Sequence, residues 1–481
     1  MLKISKDLFT SWNDAGLLYC HWKSNEHLLP GLDGDTDLDV LLSRDNQAEG
    51  EAILRKLDFL QCKSQYGARF PNVDDWIGFD GDTGKLIHLH LHYQIVTGHK
   101  GLKEYTLPWT DRALSTRVYN EEYGVYTMEP NLELVTLYTR IGLKASFVEV
   151  LRCYRGAFGL SNDTHREITW LKDRVNMGEV RHLLDAYFNS SADEMHALIN
   201  KDNIDADSYK KIINITERTF SNNRRFSSFV RLREVSIFIY LKYLIKITKK
   251  IKTVVVKKVV KSEKGITVAF LGQDGAGKTT VTNDLLKWLN WKMDVRYVYL
   301  GSGDNYRSWK KYIASFLPTK GLIKYVRGLM QLWMLKDVAK DAYSNVLNAE
   351  KLITKGVVVF YDRFPQIDYV GICDGPKVRK KLDKYFGNSP LAKLFVPLAK
   401  KEERCLNDVV KHSPSIVFKL ILPPEESIRR KPHENLEGIK RKHEIIKSLD
   451  FKGSVVYTID ATLPYNEELL MIKKIIWQHI H

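Results

Sequence analysis

The sequence has few cysteines, no long apolar run and no visible internal repeat. Its 481 residues include five scattered cysteines without C-x-x-C spacing, so neither a disulfide framework nor a zinc site of the cysteine type is predicted. No stretch approaches the roughly 20 apolar residues of a spanning helix. The N-terminus also lacks the basic start and apolar core of a secretory signal. These absences predict a cytoplasmic protein.

The composition is that of a globular protein with a strong positive charge. Apolar residues make up 44% of the chain and charged residues 27%, and one domain per roughly 150 residues predicts about three domains. The formal net charge is +16. Residues 224–264 hold 13 lysines and arginines against two glutamates, so this segment carries most of the excess charge.

The residue pattern predicts an α/β protein with four successive segments. An α+β domain is expected over 1–125, a helical region over 126–223, a basic amphipathic connector over 224–264 and a C-terminal domain over 265–481. In the last segment, β-branched apolar runs such as ITVAFLG and GVVVFYDR alternate with helix-like stretches. Strands that are apolar on both faces and separated by helices predict a buried parallel sheet.

A phosphate-binding motif opens the C-terminal domain. Residues 272–280 read GQDGAGKTT and match G-x-x-x-x-G-K-[ST] between a predicted strand and a predicted helix. The glycines permit a tight loop whose N–H groups point at phosphate oxygens, Lys278 adds a mobile charge, and Thr279 offers a hydroxyl to Mg²⁺. We therefore expect ATP and Mg²⁺ to bind here. The predicted nucleotide-binding residues of the loop are Gly272, Asp274, Gly275, Ala276, Gly277, Lys278, Thr279 and Thr280.

Asp362 and Arg363 end the predicted strand GVVVFYDR. Ligands bind outside the carboxyl ends of strands in open α/β sheets. Asp362 is predicted to orient Mg²⁺ through water or to accept a proton from the acceptor, and Arg363 to clamp a phosphate or another anion. The alternative is an ion pair that only caps the strand.

A basic segment follows at residues 423–447, PPEESIRRKPHENLEGIKRKHEIIK, which is predicted to form a helix–loop–helix. Such a charge run is usually a solvated surface. Beside a phosphate-binding loop, the pattern favours a mobile lid that closes on the transferring phosphoryl group. Its cations are Arg429, Arg430, Lys431, Lys440, Arg441 and Lys442.

These motifs, together with the closing VVYTIDAT, resemble thymidylate kinase and its relatives among the P-loop kinases over residues 265–481. The resemblance implies that Asp362 and Arg363 lie by the phosphoryl acceptor and that Asp460 to Thr462 border the adenine. It also implies that arginines of the lid stabilise the transition state, because the Gly-Ala pair of this loop supplies none. The candidates are Arg429, Arg430 and Arg441, which spacing does not rank.

The chain departs from thymidylate kinases after the second strand of this domain. Those enzymes have an Arg-Glu-Pro-Gly-Gly segment there, whereas this chain reads YLGSGDNYRSW, in which Arg307 is the nearby substitute. DRFPQ followed by DGP at 374–376 resembles the thymidylate-kinase-like proteins of bacterial surface-polysaccharide gene clusters. We therefore expect a kinase acting on a glycan or sugar phosphate. The alternatives are a thymidylate or other nucleoside monophosphate kinase, and an ATP-binding scaffold or switch.

A second constellation lies near the N-terminus. WKSN at 22–25 and GDTDLDVLL at 34–42 resemble nucleotidyltransferase-fold proteins. Asp37 and Asp39 are two apart on a predicted strand, so they point to one face and are suited to hold Mg²⁺. The expected third carboxylate is missing from the predicted neighbouring strand KLIHLHLHYQ, which instead places His88, His90 and His92 on one face.

Three interpretations of this constellation remain open. The first is nucleotidyl transfer by Asp37 and Asp39. The second is altered chemistry, in which the histidines, His90 and His92 among them, join these aspartates around a transition metal or bind an anionic sugar. The third is a structural or substrate-recognition module without chemistry of its own.

The basic connector, residues 224–264, alternates apolar runs with lysines, of which Lys242, Lys246, Lys249 and Lys250 fall near helical spacing. Such a helix is suited to lie on an anionic membrane surface, which predicts a peripheral position on the inner face of the membrane. A core helix followed by an edge strand is the alternative. Nucleic-acid binding is not favoured, because aliphatic residues rather than stacking aromatics interrupt the basic run.

Overall fold

The computed structural model describes residues 1–64, 70, 72–155, 159–248, 255, 257–261, 264–301, 309–318, 320–321, 323–369, 375–387, 389–433 and 435–480. The chain divides into two compact units, residues 1–249 and 250–481. The boundary between them falls inside the basic connector.

The first unit begins with a mixed sheet and continues into helices. Its strands are β1 (Tyr19–His21), β2 (Asp37–Leu42), β3 (Leu60–Lys63), β4 (Val73–Phe79), β5 (Leu86–His92), β6 (Val96–Thr97), β7 (Tyr105–Thr106), β8 (Val118–Asn120) and β9 (Val125–Thr127). Its helices are α1 (Lys3–Asp14), α2 (Leu28–Leu32), α3 (Gln47–Lys56), α4 (Thr110–Ser115), α5 (Pro130–Leu143), α6 (Phe147–Tyr154), α7 (Asn162–Lys172), α8 (Met177–Phe188), α9 (Ala192–Ile199), α10 (Ala206–Thr219) and α11 (Ser228–Thr248).

The main sheet of this unit has the strand order β3-β4-β5-β2-β1-β9-β8. β5 pairs parallel with β2 on one side and antiparallel with β4 on the other. The β2–β5 register sets Asp37 beside His88 and Asp39 beside His90. Because side chains alternate along a strand, the aspartates and the histidines reach the same face of the sheet.

The helices α5 to α10 of the first unit share a core with one part of its sheet. α5 begins with Pro130, and the side chain of Glu129 accepts the N–H groups of Asn131 and Leu132 at its N-cap. The apolar faces of α5, α8 and α10 supply much of this core, including the buried Leu132, Val180 and Ile212. Within the segment 126–223, for which helices were expected, LELVTLYTRIGLK lies in α5 and its C-terminal cap, and VRHLLDAYF lies in α8.

The second unit alternates strands and helices. Its strands are β10 (Val259–Val260), β11 (Thr267–Gly272), β12 (Val295–Tyr299), β13 (Val358–Asp362), β14 (Ile416–Ile421) and β15 (Val455–Asp460). Its helices are α12 (Lys278–Asn290), α13 (Trp309–Phe316), α14 (Ile323–Ile353), α15 (Val378–Phe386), α16 (Pro390–Val410), α17 (Pro424–Arg430), α18 (Leu436–Ser448) and α19 (Tyr465–Ile480).

The five strands of the order β12-β13-β11-β14-β15 form a parallel sheet. The predicted α/β class is confirmed. β11 lies between β13 and β14, and the chain leaves it toward β12 on one side and later crosses to β14 on the other. Ligands bind outside the carboxyl ends of strands at such a switch point. The loop after β11 and the end of β13 lie at this position.

The long helix α14 extends beyond the sheet. Ala342, Val346, Ala349 and Leu352, from its C-terminal half, are buried in the core that contains β11 and β13. Because α14 leads directly into β13, it runs back along the sheet, and its N-terminal half projects past the strands' carboxyl ends. That half therefore lies beyond the same end of the strands as the loop after β11.

The helix α11 covers the first part of the connector and exposes large apolar side chains. Phe229, Leu232 and Tyr243 are 79%, 67% and 63% exposed. Residues 249–254, 256 and 262–263 of the connector lie outside the described residues. Among the described residues, no helix combines the length and the apolar character that crossing a membrane requires.

Candidate functional site

The loop between β11 and α12 has the backbone shape of a phosphate cradle. Gly275 and Gly277 adopt φ values of +88° and +81°, which favour glycine. A Cβ on Gly277 would meet no atom within 4 Å, so the space above the loop is open there. A Cβ on Gly272 would lie 2.8 Å from the carbonyl oxygen of Leu420 in β14. The loop therefore fits closely on the sheet and leaves room for phosphates.

Lys278 folds over this loop. Its Nζ donates to the carbonyl oxygens of Gly272 and Gln273 at 2.7 and 2.8 Å. Burial lowers the pKa of Lys278 to about 8, although the nearby Asp274 carboxylate opposes the shift. Thr279 and Thr280 follow in the first turn of α12 and are exposed, so their hydroxyls are accessible to a metal–nucleotide complex.

The basic segment contacts the loop through its two helices. Lys442 of α18 forms an ion pair with Asp274, and Ser427 of α17 donates its hydroxyl to the Asp274 carbonyl oxygen. Burial would raise the pKa of Asp274, but Lys442, Lys278 and Arg363 together outweigh burial and lower it. Both helices are therefore anchored on the phosphate loop.

The arginines of the basic segment have different positions. Arg430 donates to the carbonyl oxygens of Gly275 at 3.3 Å and Ala461 at 3.2 Å. Arg429 pairs with Glu426 at 2.8 Å and is 79% exposed, and Arg441 is exposed on α18. The structure therefore brings Arg430 to the loop and leaves Arg429 at the surface.

Asp460 and Thr462 follow β15 at the carboxyl edge of the sheet. The Asp460 carboxylate accepts hydrogen bonds from the Thr462 backbone N–H at 2.9 Å and hydroxyl at 2.6 Å. The Thr462 hydroxyl contact is the main cause of a lowered Asp460 pKa. Arg430 contacts the intervening Ala461, so this turn lies next to the same loop.

Asp362 lies buried at the end of β13, next to β11. Its Oδ2 accepts the Tyr297 hydroxyl at 2.6 Å. Arg363, the next residue, is exposed with φ of +65°, and its Cδ would lie 2.6 Å from a Cβ on Gly301. The unusual backbone turns Arg363 out of the strand while Asp362 remains inside. Thr279 and Asp362 carry oxygen atoms of the kind that Mg²⁺ prefers as ligands.

Some residues of this site were not predicted from the sequence. Tyr297 holds Asp362, and the buried Gln273 donates to the Leu422 carbonyl oxygen and to His443 Nδ1. The sequence carries no motif for either contact, because each joins elements far apart in the chain. Arg307 and Asp374, on which the expectation about the acceptor depended, lie outside the described residues.

A basic cavity of about 800 Å³ opens among α13, α14 and α15. The apolar residues Ala314, Met334 and Leu335 are among those that line it, and no described lining residue carries a carboxylate. Its cations are Lys311, Arg327, Lys377, Lys380, Lys381 and Lys384. This cavity is suited to an anionic ligand with some apolar surface.

The first unit joins its aspartates and histidines across three strands. His88 is fully buried between two carboxylates, with Nδ1 2.6 Å from Asp37 Oδ1 and Nε2 3.1 Å from Asp75 Oδ1. His90 has Nδ1 3.3 Å from Asp39 Oδ1 and Nε2 3.1 Å from Asp75 Oδ1. These contacts raise the pKa of His90 although its burial lowers it.

Asp39 is the centre of the second half of this cluster. Its Oδ1 lies 2.8 Å from Lys23 Nζ and 3.4 Å from Nε2 of His92. Burial would raise the pKa of Asp39, but Lys23, His90 and His92 outweigh burial and hold it well below its usual range. Burial lowers the pKa of His92 to about 3, so its imidazole is neutral.

Asp75 supplies the third carboxylate that was expected on β5. It lies on β4, and the antiparallel register places it opposite His90. The two adjacent aspartates in NVDDWIGF were the only sign of it in the sequence. Their relation to the histidines becomes visible only when the pairing of β4 with β5 is known. The cluster does not fit a carboxylate-only Mg²⁺ site, because Asp37 is engaged by His88, and Asp39 by Lys23 and two imidazoles.

Curated proteins of Escherichia coli are similar to part of this chain. YghR, named an uncharacterized ATP-binding protein, is 26% identical over 226 residues in strains K12 and CFT073, covering 43% of this chain and 85% of YghR. YghS of strain K12, also named an uncharacterized ATP-binding protein, is 23% identical over 224 residues, covering 42% of this chain and 88% of YghS. No family model matches the chain.

Proposed function

We propose that the chain binds ATP with Mg²⁺ at residues 272–280 and transfers the γ-phosphoryl group to an anionic acceptor. The observation that carries this proposal is the convergence of three features at one sheet edge. They are the loop before α12, Asp362 at the end of β13, and Arg430 from α17. The ATP-binding names of YghR and YghS support the nucleotide part of the proposal.

In the proposed reaction, an oxygen of the acceptor attacks the γ-phosphorus, the bond to the β–γ bridging oxygen breaks, and ADP leaves. The loop N–H groups and Lys278 hold the phosphates, while Arg430 stabilises charge on the transferring group. Mg²⁺ held by Thr279 and Asp362 would neutralise phosphate charge. In the alternative role that we propose for Asp362, its carboxylate takes the proton of an acceptor hydroxyl.

We propose a glycan or sugar phosphate as the acceptor. The basic cavity supports an anionic acceptor, since six cations line it without a described carboxylate. Its volume of about 800 Å³ lies in the upper part of the range for small-molecule sites, so it offers room for more than one sugar. It opens around the half of α14 that projects past the strands' carboxyl ends. The resemblance to thymidylate-kinase-like proteins of surface-polysaccharide clusters favours the same class.

The test is ADP release by the full chain with ATP and Mg²⁺, using thymidylate, other nucleoside monophosphates, sugar phosphates and anionic glycans as acceptors. Phosphorus NMR would identify the product. We expect turnover with a sugar phosphate or glycan and little with thymidylate. Lys381→Glu should raise the acceptor KM about tenfold or more while leaving the ATP KM unchanged, because it reverses one charge of the cavity.

The alternatives give different results in the same assay. Efficient turnover of thymidylate would support a nucleoside monophosphate kinase. ATP binding without acceptor-dependent ADP release above the level of Lys278→Ala would support an ATP-binding scaffold. If Lys381→Glu and the unchanged chain have equal acceptor KM values, the cavity does not bind the acceptor.

A further inference from the structure

The histidine cluster of the first unit carries an inference that does not depend on the proposed kinase activity. We propose that Asp39, His90 and His92 bind a divalent transition-metal ion of the zinc class. The remaining coordination position would face a cavity of about 270 Å³ that Lys23 and Ser24 help to line. Water or a substrate oxygen is the expected ligand at that position.

The spacing of the ligand atoms is the first support. Asp39 Oδ1 is 3.3 Å from His90 Nδ1 and 3.4 Å from His92 Nε2. One ligand atom of each residue lies within 4.8 Å of the others. Zinc bonds to nitrogen and oxygen of about 2.0–2.1 Å place tetrahedral ligands about 3.3–3.4 Å apart. Both separations from Asp39 therefore already match a bound ion.

The second support is the weak hydrogen bonding of the buried His92 imidazole. Its side chain is fully buried, and neither ring nitrogen forms a hydrogen bond within the described part of the chain. The Trp22 ring packs against it at a centroid distance of 5.1 Å. Burying an unpaired polar group is unfavourable. The nearest polar atom to Nε2 is Asp39 Oδ1 at 3.4 Å, and an ion between these two atoms would bond to both.

The third support is the hydrogen bonding behind His90. Its Nε2 faces Asp75 Oδ1 at 3.1 Å, which directs Nδ1 toward Asp39. Metal-binding histidines usually donate their other ring N–H to such a carboxylate. His88 differs, because both of its nitrogens face carboxylates. We therefore assign His90 as a ligand and Asp75 and His88 as positioning residues.

Lys23 is the competitor of the ion. Its Nζ lies 2.8 Å from the Asp39 oxygen that faces both imidazoles. A cation at this point must displace Lys23 or share Asp39 with it. Removing the charge with Lys23→Met should therefore tighten metal binding by about threefold or more, because the pair is largely buried and the ammonium no longer competes for Asp39. A purely structural cluster would not show this effect.

The experiment is a calorimetric titration of the full chain, stripped with a chelator, with Zn²⁺ and Co²⁺. We expect one equivalent of tight binding that millimolar Mg²⁺ does not displace. Asp39→Asn and His92→Gln should each weaken it at least about 100-fold, and Asp75→Asn about 10-fold. Asp35→Asn is the matched control, because this exposed carboxylate pairs with Lys85, and it should leave binding unchanged.

Two further measurements distinguish loss of a metal ligand from loss of the fold. Circular dichroism of each metal-free variant shows whether it folds, and the visible spectrum of the Co²⁺-loaded unchanged chain reports coordination without any variant. An intense four- or five-coordinate spectrum is expected. A weak octahedral spectrum, wild-type affinity in a folded Asp39→Asn variant, or loss of binding with Asp37→Asn but not Asp39→Asn would overturn the assignment.

Discussion

The two units build their candidate sites from different parts of the chain. In the second unit, the phosphate loop is one continuous stretch whose glycine backbone makes the site, with Gly275 and Gly277 at positive φ. In the first unit, side chains from β2, β4 and β5 meet across a sheet. A backbone site is therefore encoded locally, whereas a side-chain site depends on strand pairing.

This difference explains what the sequence could predict. The strand, loop and helix around 272–280 were predicted correctly, because glycine spacing and apolar runs determine them within about 25 residues. Strand periodicity also gives the face that Asp37 and Asp39 share on β2 and the face that His90 and His92 share on β5. Asp75 could not be found, since its position depends on the antiparallel register of β4 against β5.

The second unit also has features that depend on contacts between distant segments. Spacing could not rank the arginines of the basic segment, because their rank depends on how α17 lies on the loop. Arg430 faces the carbonyl oxygens of Gly275 and Ala461 while Arg429 points outward. The basic cavity was not predicted either, because its cations come from three helices that are separated along the chain.

The largest effect is expected from Lys278→Ala. Losing a charged phosphate contact should reduce ATP turnover about 30- to 1,000-fold, equivalent to about 2–4 kcal/mol. Lys287→Ala is the matched control, because Lys287 lies on the same helix and is 80% exposed. Zinc binding by the first unit should be unchanged, which separates the two sites. Turnover within threefold of the unchanged chain would refute the phosphate-loop assignment.

A smaller effect is expected when the two neighbouring arginines are compared. Arg430→Ala should lower kcat about 10- to 100-fold, because its guanidinium is held at the loop. Arg429→Ala should change kcat less than about threefold, since an exposed ion pair contributes little. Steady-state kinetics with folded variants measures both. Equal losses, or a larger loss for Arg429→Ala, would contradict the ranking.

The pH dependence of ATP binding should be smaller again. The pKa of Lys278 is lowered to about 8 in the free protein, and bound phosphates stabilise the protonated form. ATP affinity should therefore be constant below pH 8 and fall by up to about tenfold per pH unit above it. Calorimetry from pH 6.5 to 9.5 checks this result. The same decline in Lys278→Ala would assign the titration to another group.

The smallest effect concerns the exposed face of α11, where Phe229 and Leu232 are among the most exposed apolar side chains. The connector's positive charge should bring the full chain to anionic vesicles in low salt and release it in high salt. Phe229→Ser with Leu232→Ser should weaken partitioning about threefold to tenfold, because less apolar area enters the interface. Val118→Ser, a change at an exposed valine of β8, is the control. Equal binding to neutral and anionic vesicles, or none, would favour a helix that serves only the protein's own packing.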